Sequence, residues 1–146
     1  MNPVMPIVLG EGATLPRYQT SGAAGMDVCC NEAFTLAPME RRTVGTGLKV
    51  AVPEGYELQA RPRSGLAAKH GISMVNTPGT IDSDYRGELR LILINLGSET
   101  VEFNQGDRVA QLVLCPVVQA TLQVVENLDE TGRGEGGFGS TGLRNE

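Results

Sequence analysis

Apolar and polar residues alternate along this chain in short runs, and long patterns with the period of an amphipathic helix are missing. Short strands are therefore expected at residues 5–9, 42–52, 56–61, 99–103 and 120–126. Residues 10–20 read as a loop. Another strand should follow the small residues Ser21-Gly22-Ala23-Ala24-Gly25, carrying Met26-Asp27-Val28-Cys29-Cys30. Residues 106–114 read as a turn and then a strand. Leu89-Arg90-Leu91-Ile92-Leu93-Ile94-Asn95-Leu96 is largely apolar on both alternating faces, so both should be buried. One face can go to the core of a β-sandwich; the other needs a second sheet or another subunit. The one convincing helix is Ser64-Gly65-Leu66-Ala67-Ala68-Lys69-His70, with Ser64 as its N-cap and Gly71 as its stop.

The totals sharpen this picture. A chain of 146 residues suggests a single domain with a modest core. Trp is absent and aromatic residues are scarce, so Val, Leu and Ile must fill that core. Gly (19) and Pro (8) are frequent, as turns between many strands require. A net charge of -5 argues against non-specific nucleic-acid binding, yet leaves room for a small anion held by a local arginine group and a divalent cation. Cys29, Cys30 and Cys115 have neither metal-ligand spacing nor an even disulfide framework, and read as reduced core or interface residues of a cytoplasmic protein. The N-terminus shows no secretion signal, and no membrane span is expected.

The candidate chemistry centres on residues 76–89. Pro78-Gly79 fixes one bend, Thr80-Ile81 touch strand, and Asp84 to Gly87 reads as a second bend. Asn76, Asp82, Asp84 and Tyr85 are thereby held at the mouth of a hairpin. Its backbone can meet a small planar ligand, and its carboxylates can hold a water. The start of the short helix offers unpaired N–H groups beside Arg63, a combination that suits phosphate. His70 stands at the other end of that helix, so a Ser64–His70–Asp triad is excluded. The glycine-rich stretch of residues 132–142 interleaves Arg133, Phe138, Ser140 and Thr141 with glycines that let backbone N–H groups curl around phosphate. It is not a Walker loop, because no Gly-Lys-Ser/Thr follows a strand.

Five stretches resemble, in order, the five signature motifs of the trimeric dUTPases. They are Ala24-Gly25-Met26-Asp27, Pro62-Arg63-Ser64-Gly65-Leu66-Ala67, Gly79-Thr80-Ile81-Asp82-Ser83-Asp84-Tyr85-Arg86-Gly87-Glu88, Gly106-Asp107-Arg108-Val109-Ala110-Gln111, and Arg133-Gly134-Glu135-Gly136-Gly137-Phe138-Gly139-Ser140-Thr141-Gly142. The paired cysteines loosen the first match just after its core. The resemblance implies an all-β, jelly-roll-like sandwich with one short helix, assembled as a homotrimer with shared active sites. It implies a β domain over residues 1–131 and a flexible glycine-rich arm over residues 132–146 that closes the site.

The same resemblance implies hydrolysis of dUTP to dUMP and pyrophosphate, with Asp82 activating water for attack on the α-phosphorus. It assigns Asn76 and the backbone around Thr80, Ile81 and Arg90 to the uracil edge, and Tyr85 to the deoxyribose. Arg63, Ser64, Gly65 and Gln111 would hold phosphates, with Asp27 one shell out. Phe138 would stack on uracil, while Arg133, Ser140 and Thr141 bind phosphates. Mg²⁺ would ride on triphosphate oxygens and water, with no direct protein ligand. A related dCTP deaminase would need a glutamate-based deamination site, against which Tyr85 and the Phe138 arm argue. A non-catalytic β-sandwich module would lack Asp82 or the arm. Ile81-Asp82-Ser83 begins like a retroviral aspartic protease site, but Asp84 stands where glycine is required.

Overall fold

The computed structural model describes residues 1–145; Glu146, the last residue of the expected arm, lies outside them. Ten strands and one helix follow in order: β1 (Ile7–Leu9), β2 (Met26–Cys29), β3 (Phe34–Leu36), β4 (Arg41–Val50), β5 (Tyr56–Arg61), α1 (Ser64–His70), β6 (Ile72–Met74), β7 (Gly79–Ile81), β8 (Glu88–Asn95), β9 (Val101–Phe103) and β10 (Arg108–Pro116). Two four-stranded antiparallel sheets, β1-β4-β8-β6 and β2-β10-β5-β7, bury one shared core, and β3-β9 add a short ribbon. This is the all-β, jelly-roll-like sandwich with one short helix that the strand pattern and the resemblance imply.

Alternation decides what goes inside. Val44, Leu48 and Val50 of β4 and Leu89, Leu91 and Leu93 of β8 face the core from one sheet. Leu58 and Ala60 of β5 and Leu112 of β10 face it from the other. Two buried polar side chains sit among them and are satisfied. Thr46 Oγ1 donates to Leu89 O at 2.6 Å. Asn95 Nδ2 donates to Leu36 O at 2.9 Å and Glu99 O at 2.8 Å, while Asn95 Oδ1 accepts from Gly97 N at 2.8 Å. Asn95 thus ties β8 to the ends of β3 and of the turn before β9.

Several expectations shift. The helix begins at Ser64, but its N-cap is Arg63, in extended backbone and without a side-chain capping bond. Ser64 is not the cap, because Arg63 is held in line with β5 by its own side-chain contacts, described below. Gly71 does end the helix, at φ 70°. The second hairpin bend falls earlier than expected, centred on Ser83-Asp84 and closed by Tyr85 N donating to Asp82 O at 3.2 Å. Strand β8 buries only one face completely; Ile92 and Ile94 are half-buried and Arg90 is exposed. Residues 120–126 form no strand, since within one chain they meet no free strand edge; Leu122 and Val124 are 91% and 99% exposed. All three cysteines are free, with burial pushing the Cys29 and Cys30 thiols up. No helix among the described residues is long and apolar enough to cross a membrane.

Asn95→Ala should lower unfolding free energy by about 2–3 kcal/mol, because it strands two carbonyls and a buried N–H. Urea denaturation at fixed protein concentration checks this; a loss below about 0.5 kcal/mol would mean water replaces the side chain.

Candidate active site

The residues expected to act fall into three groups. The first is the corner expected to bind anions, where β2, β10 and the start of α1 meet. Asp27 on β2 pairs with Gln111 on β10, which in turn pairs with Arg61 on β5. Gly25 leaves the space that the Gln111 amide fills. That amide is fixed by Nε2 donating to Pro62 O at 3.0 Å. Asp27 lies between two guanidiniums: Arg63 Nε is 3.5 Å from Oδ1, and Arg108 donates to Oδ2 at 3.3 Å. Arg63 also donates to Arg108 O at 3.0 Å. Two guanidiniums thus flank one carboxylate beside the exposed Ser64-Gly65 backbone, with Asp107 lining the same cavity. Arg108 was not among the expected site residues. The signal for it was present, three positions before Gln111 in the same motif.

The second group is the turn between β7 and β8, where a hairpin was expected; the two strands do not pair, because β7 joins β5 in one sheet and β8 joins β4 and β6 in the other. β7 is the edge strand of its sheet, with Thr80 opposite Gln59 and Ile81 opposite Leu58, so its other edge is unpaired. The Asn76 amide lies against Gly79, at the start of that edge. Tyr85 folds back over Gly87, where any side chain would collide with the ring, and its hydroxyl donates to Glu88 O at 2.8 Å. Asp82 is exposed at the turn and enters no ion pair among the described residues. Arg90 Nε stands 3.9 Å from Glu88 Oε2.

The third group is the arm. Arg133 Nε donates to Gly136 O at 2.6 Å, and Ser140 N donates to Gly137 O at 3.1 Å. Phe138 is fully exposed. Among the described residues, the hydrogen bonds and ion pairs of residues 131–142 stay within that stretch.

These groups are not brought together in one chain. The strand order β2-β10-β5-β7 sets the Asp27 edge and the hairpin edge three strand spacings apart, about 14 Å. A cavity of roughly 780 Å³ runs from Arg63 and Arg108 along α1. A second, of roughly 630 Å³, holds Asp82, Ser83 and Asp84 with Glu54 and Glu57. Neither contains both Asp82 and Arg63. For Mg²⁺, the corner offers Asp27, engaged by two arginines, and the neutral Gln111 amide; among the described residues no three His, Cys, Asp or Glu side chains converge. That donor set fits a hydrated ion carried on a phosphate chain better than a closed cage.

The dUTPase family model matches residues 11–142. The chain belongs to the dUTPase family. A deoxyuridine 5'-triphosphate nucleotidohydrolase from Anaeromyxobacter sp. is 61% identical over 133 residues, spanning 91% of this chain and 90% of that one. The enzyme of the same name from Wolinella succinogenes is 59% identical over 134 residues, 92% of this chain and 90% of its own. The Staphylococcus bacteriophage 80alpha dUTPase, solved with dUPNHPP, superposes with a TM-score of 0.91 at 26% identity, over 97% of this chain and 100% of that one.

Removing one cation from the corner should weaken anion binding without unfolding the chain. Arg63→Ala is expected to reduce affinity for inorganic tripolyphosphate by about 10–100-fold, the usual worth of a charge-assisted contact. Calorimetric titration reads this directly; unchanged affinity would move the anion site away from Asp27.

Proposed function

We propose that this protein hydrolyses dUTP to dUMP and pyrophosphate, removing a precursor of uracil in DNA and supplying dUMP for dTMP synthesis in the cytoplasm. The observation that supports it most is an unpaired strand edge, β7, that runs into an exposed carboxylate, Asp82, in a chain that also carries a separate arginine corner. The unpaired edge of β7, at Thr80 and Ile81, presents N–H and C=O groups to the uracil edge, helped by Asn76 and the backbone at Arg90. Tyr85, braced by Glu88 O, lies flat against the deoxyribose and leaves no room for a 2′-hydroxyl. Arg63, Ser64, Gly65 and Gln111 hold the phosphates, and Arg108 shares that charge. Asp27 orients the two arginines.

Asp82 takes the proton of a water that attacks the α-phosphorus in line, and pyrophosphate leaves. The chemistry needs orientation and charge neutralisation more than a covalent intermediate. A bound Mg²⁺ would neutralise triphosphate charge, with its waters facing Asp27 and Gln111. A structure of the dUTPase of phage phi11 describes a structural Mg(II) ion. The arm covers the site, with Phe138 on the uracil and Arg133, Ser140 and Thr141 on the phosphates.

A homotrimer with sites shared between chains follows from the same reading. The corner and the hairpin sit on opposite edges of one sheet, so a second copy supplies the missing half. The uncovered Ile92 and Ile94 and the exposed apolar residues of 117–128 supply surface for such contacts.

Asp82→Asn should keep the fold and dUTP binding and lose about 10²–10⁴-fold in kcat, the typical general-base contribution. A coupled pyrophosphate assay reads it; turnover within about threefold of wild type would remove Asp82 from that role.

Site sharing has its own test. Asp82→Asn chains keep a good arm, and chains lacking residues 133–146 keep Asp82. Each alone should be nearly inactive. Unfolded, mixed equally and refolded, they should regain activity at about a quarter of all sites, as random C₃ assembly requires. An inactive mixture, with mixed trimers seen by native mass spectrometry, would mean that hairpin and arm come from one chain.

A further inference from the structure

β4 and β8 are paired from Arg41–Ile94 to Gly45–Arg90, and then the register slips so that Lys49 faces Glu88. The slip lies at Gly45-Thr46-Gly47, and the Glu88 side chain docks into it. A methyl group on Gly45 would stand 2.8 Å from Glu88 Oε2 and 2.9 Å from Asn31 Oδ1. Gly47, at φ +72°, donates its N–H towards Glu88 Oε2 at 3.5 Å. From the other side, Asn31 N donates to Gly45 O at 3.1 Å and Asn31 Nδ2 to Glu11 O at 3.3 Å. Asn31 Oδ1 is buried beside the carboxylate and has no donor of its own among the described residues. The two glycines of the bulge thus leave room for one carboxylate, while Thr46 between them turns its side chain inward to Leu89 O.

The consequence lies at the other end of Glu88. Its backbone carbonyl is the acceptor for the Tyr85 hydroxyl, at 2.8 Å, and Gly87 beneath the ring gives the ring nothing else to lean on. Among the described residues, this is the one side-chain hydrogen bond that Tyr85 makes.

We propose that Glu88 is a positioning residue for sugar discrimination: its carboxylate, docked in the Gly45–Gly47 bulge, fixes the carbonyl that holds Tyr85. This rests on the reading above, in which Tyr85 excludes a 2′-hydroxyl. Glu88 itself touches no substrate. Arg90, whose Nε is 3.9 Å from the carboxylate and which is largely exposed, adds a second and weaker hold on the same group.

The measurement is the ratio of kcat/KM for dUTP to that for UTP, with melting temperature recorded alongside. Glu88→Ala should lower the ratio by about tenfold, as expected when a contacting ring is displaced by a fraction of an ångström to an ångström. Gly45→Ala, whose methyl would push the carboxylate out, should do the same from a strand that does not reach the site. The double variant should be no worse than either single one, because both undo one docking. Glu88→Gln should keep the ratio within about twofold, since its amide can still accept from Gly47 and can donate to Asn31 Oδ1. Tyr85→Ala is the control. If it shifts the ratio while Glu88→Ala and Gly45→Ala do not, the positioning role is overturned and the Tyr85 reading stands. A lowered melting temperature with an unshifted ratio overturns it equally. If Tyr85→Ala itself leaves the ratio unchanged, the Tyr85 reading falls and the role of Glu88 falls with it. Should Glu88→Ala fail to fold, Gly45→Ala decides alone.

Discussion

The hydrogen-bonded order β2-β10-β5-β7 is the constraint on which the rest depends. Spacing between paired strands is close to invariant, so the anion corner on β2 and the hairpin on β7 cannot approach each other. Twisting the sheet to bring them together would pull Leu58, Ala60 and Leu112 out of the core. A nucleotide that used both half-sites of one chain would have to lie across the sheet face, over the Gln59–Arg61–Gln111 row. A second copy offers the shorter route. Ladder geometry is thus consistent with the proposed trimer, in which a second copy supplies the other half of each site. The trimer also gives an occupant to surface that a lone chain leaves wet, namely Ile92 and Ile94 on β8 and the apolar positions after Pro116.

What was legible in the sequence was mostly local. The glycines at 55, 71 and 106 mark real turns because each takes a positive φ, which only glycine adopts without strain. The long strands were legible for different reasons: β5 alternates apolar and polar throughout, β8 is almost continuously apolar, and β4 and β10 are extended runs bounded by turns. β3 and β6 were missed; each has three residues, as do β1, β7 and β9, which were expected, so length alone does not separate them. The N-cap was misread for a different reason. Ser64 has the right chemistry, but Arg63 is committed to Asp27 and to Arg108 O, and these long-range contacts set the backbone one residue earlier. Residues 120–126 were misread because alternation records a wish to be buried and not the identity of the surface that buries.

The site was legible to different depths. Asp27, Arg63 and Gln111 do come together; Asn76, Thr80, Ile81, Asp82 and Tyr85 follow one another along β7 and the turn after it, but the hairpin expected there is a crossing from one sheet to the other. Neither the 14 Å between those sets nor the part played by Glu88 can be read from spacing along the chain. The first needs the strand order, and the second needs a register slip in β4, to which Glu88 is distant in sequence.

The arm carries the remaining argument. Among the described residues, residues 132–142 hold themselves in tight turns without a hydrogen bond or ion pair to the body, and Phe138 sits in the left-handed region with its ring in solvent. Such a segment has little apolar surface to lose and much backbone freedom to give up, so nothing in the chain alone favours closure. On the proposed function, a triphosphate changes that balance by offering Arg133, Ser140 and Thr141 several charged oxygens at once, and a base for Phe138 to cover. Cleavage at the α-phosphorus divides those attractions between two products. Neither product retains both the base and the full phosphate chain. Closure should then be strongest with the intact substrate and weakest after turnover, so that the free energy ordering the arm is returned as the products leave.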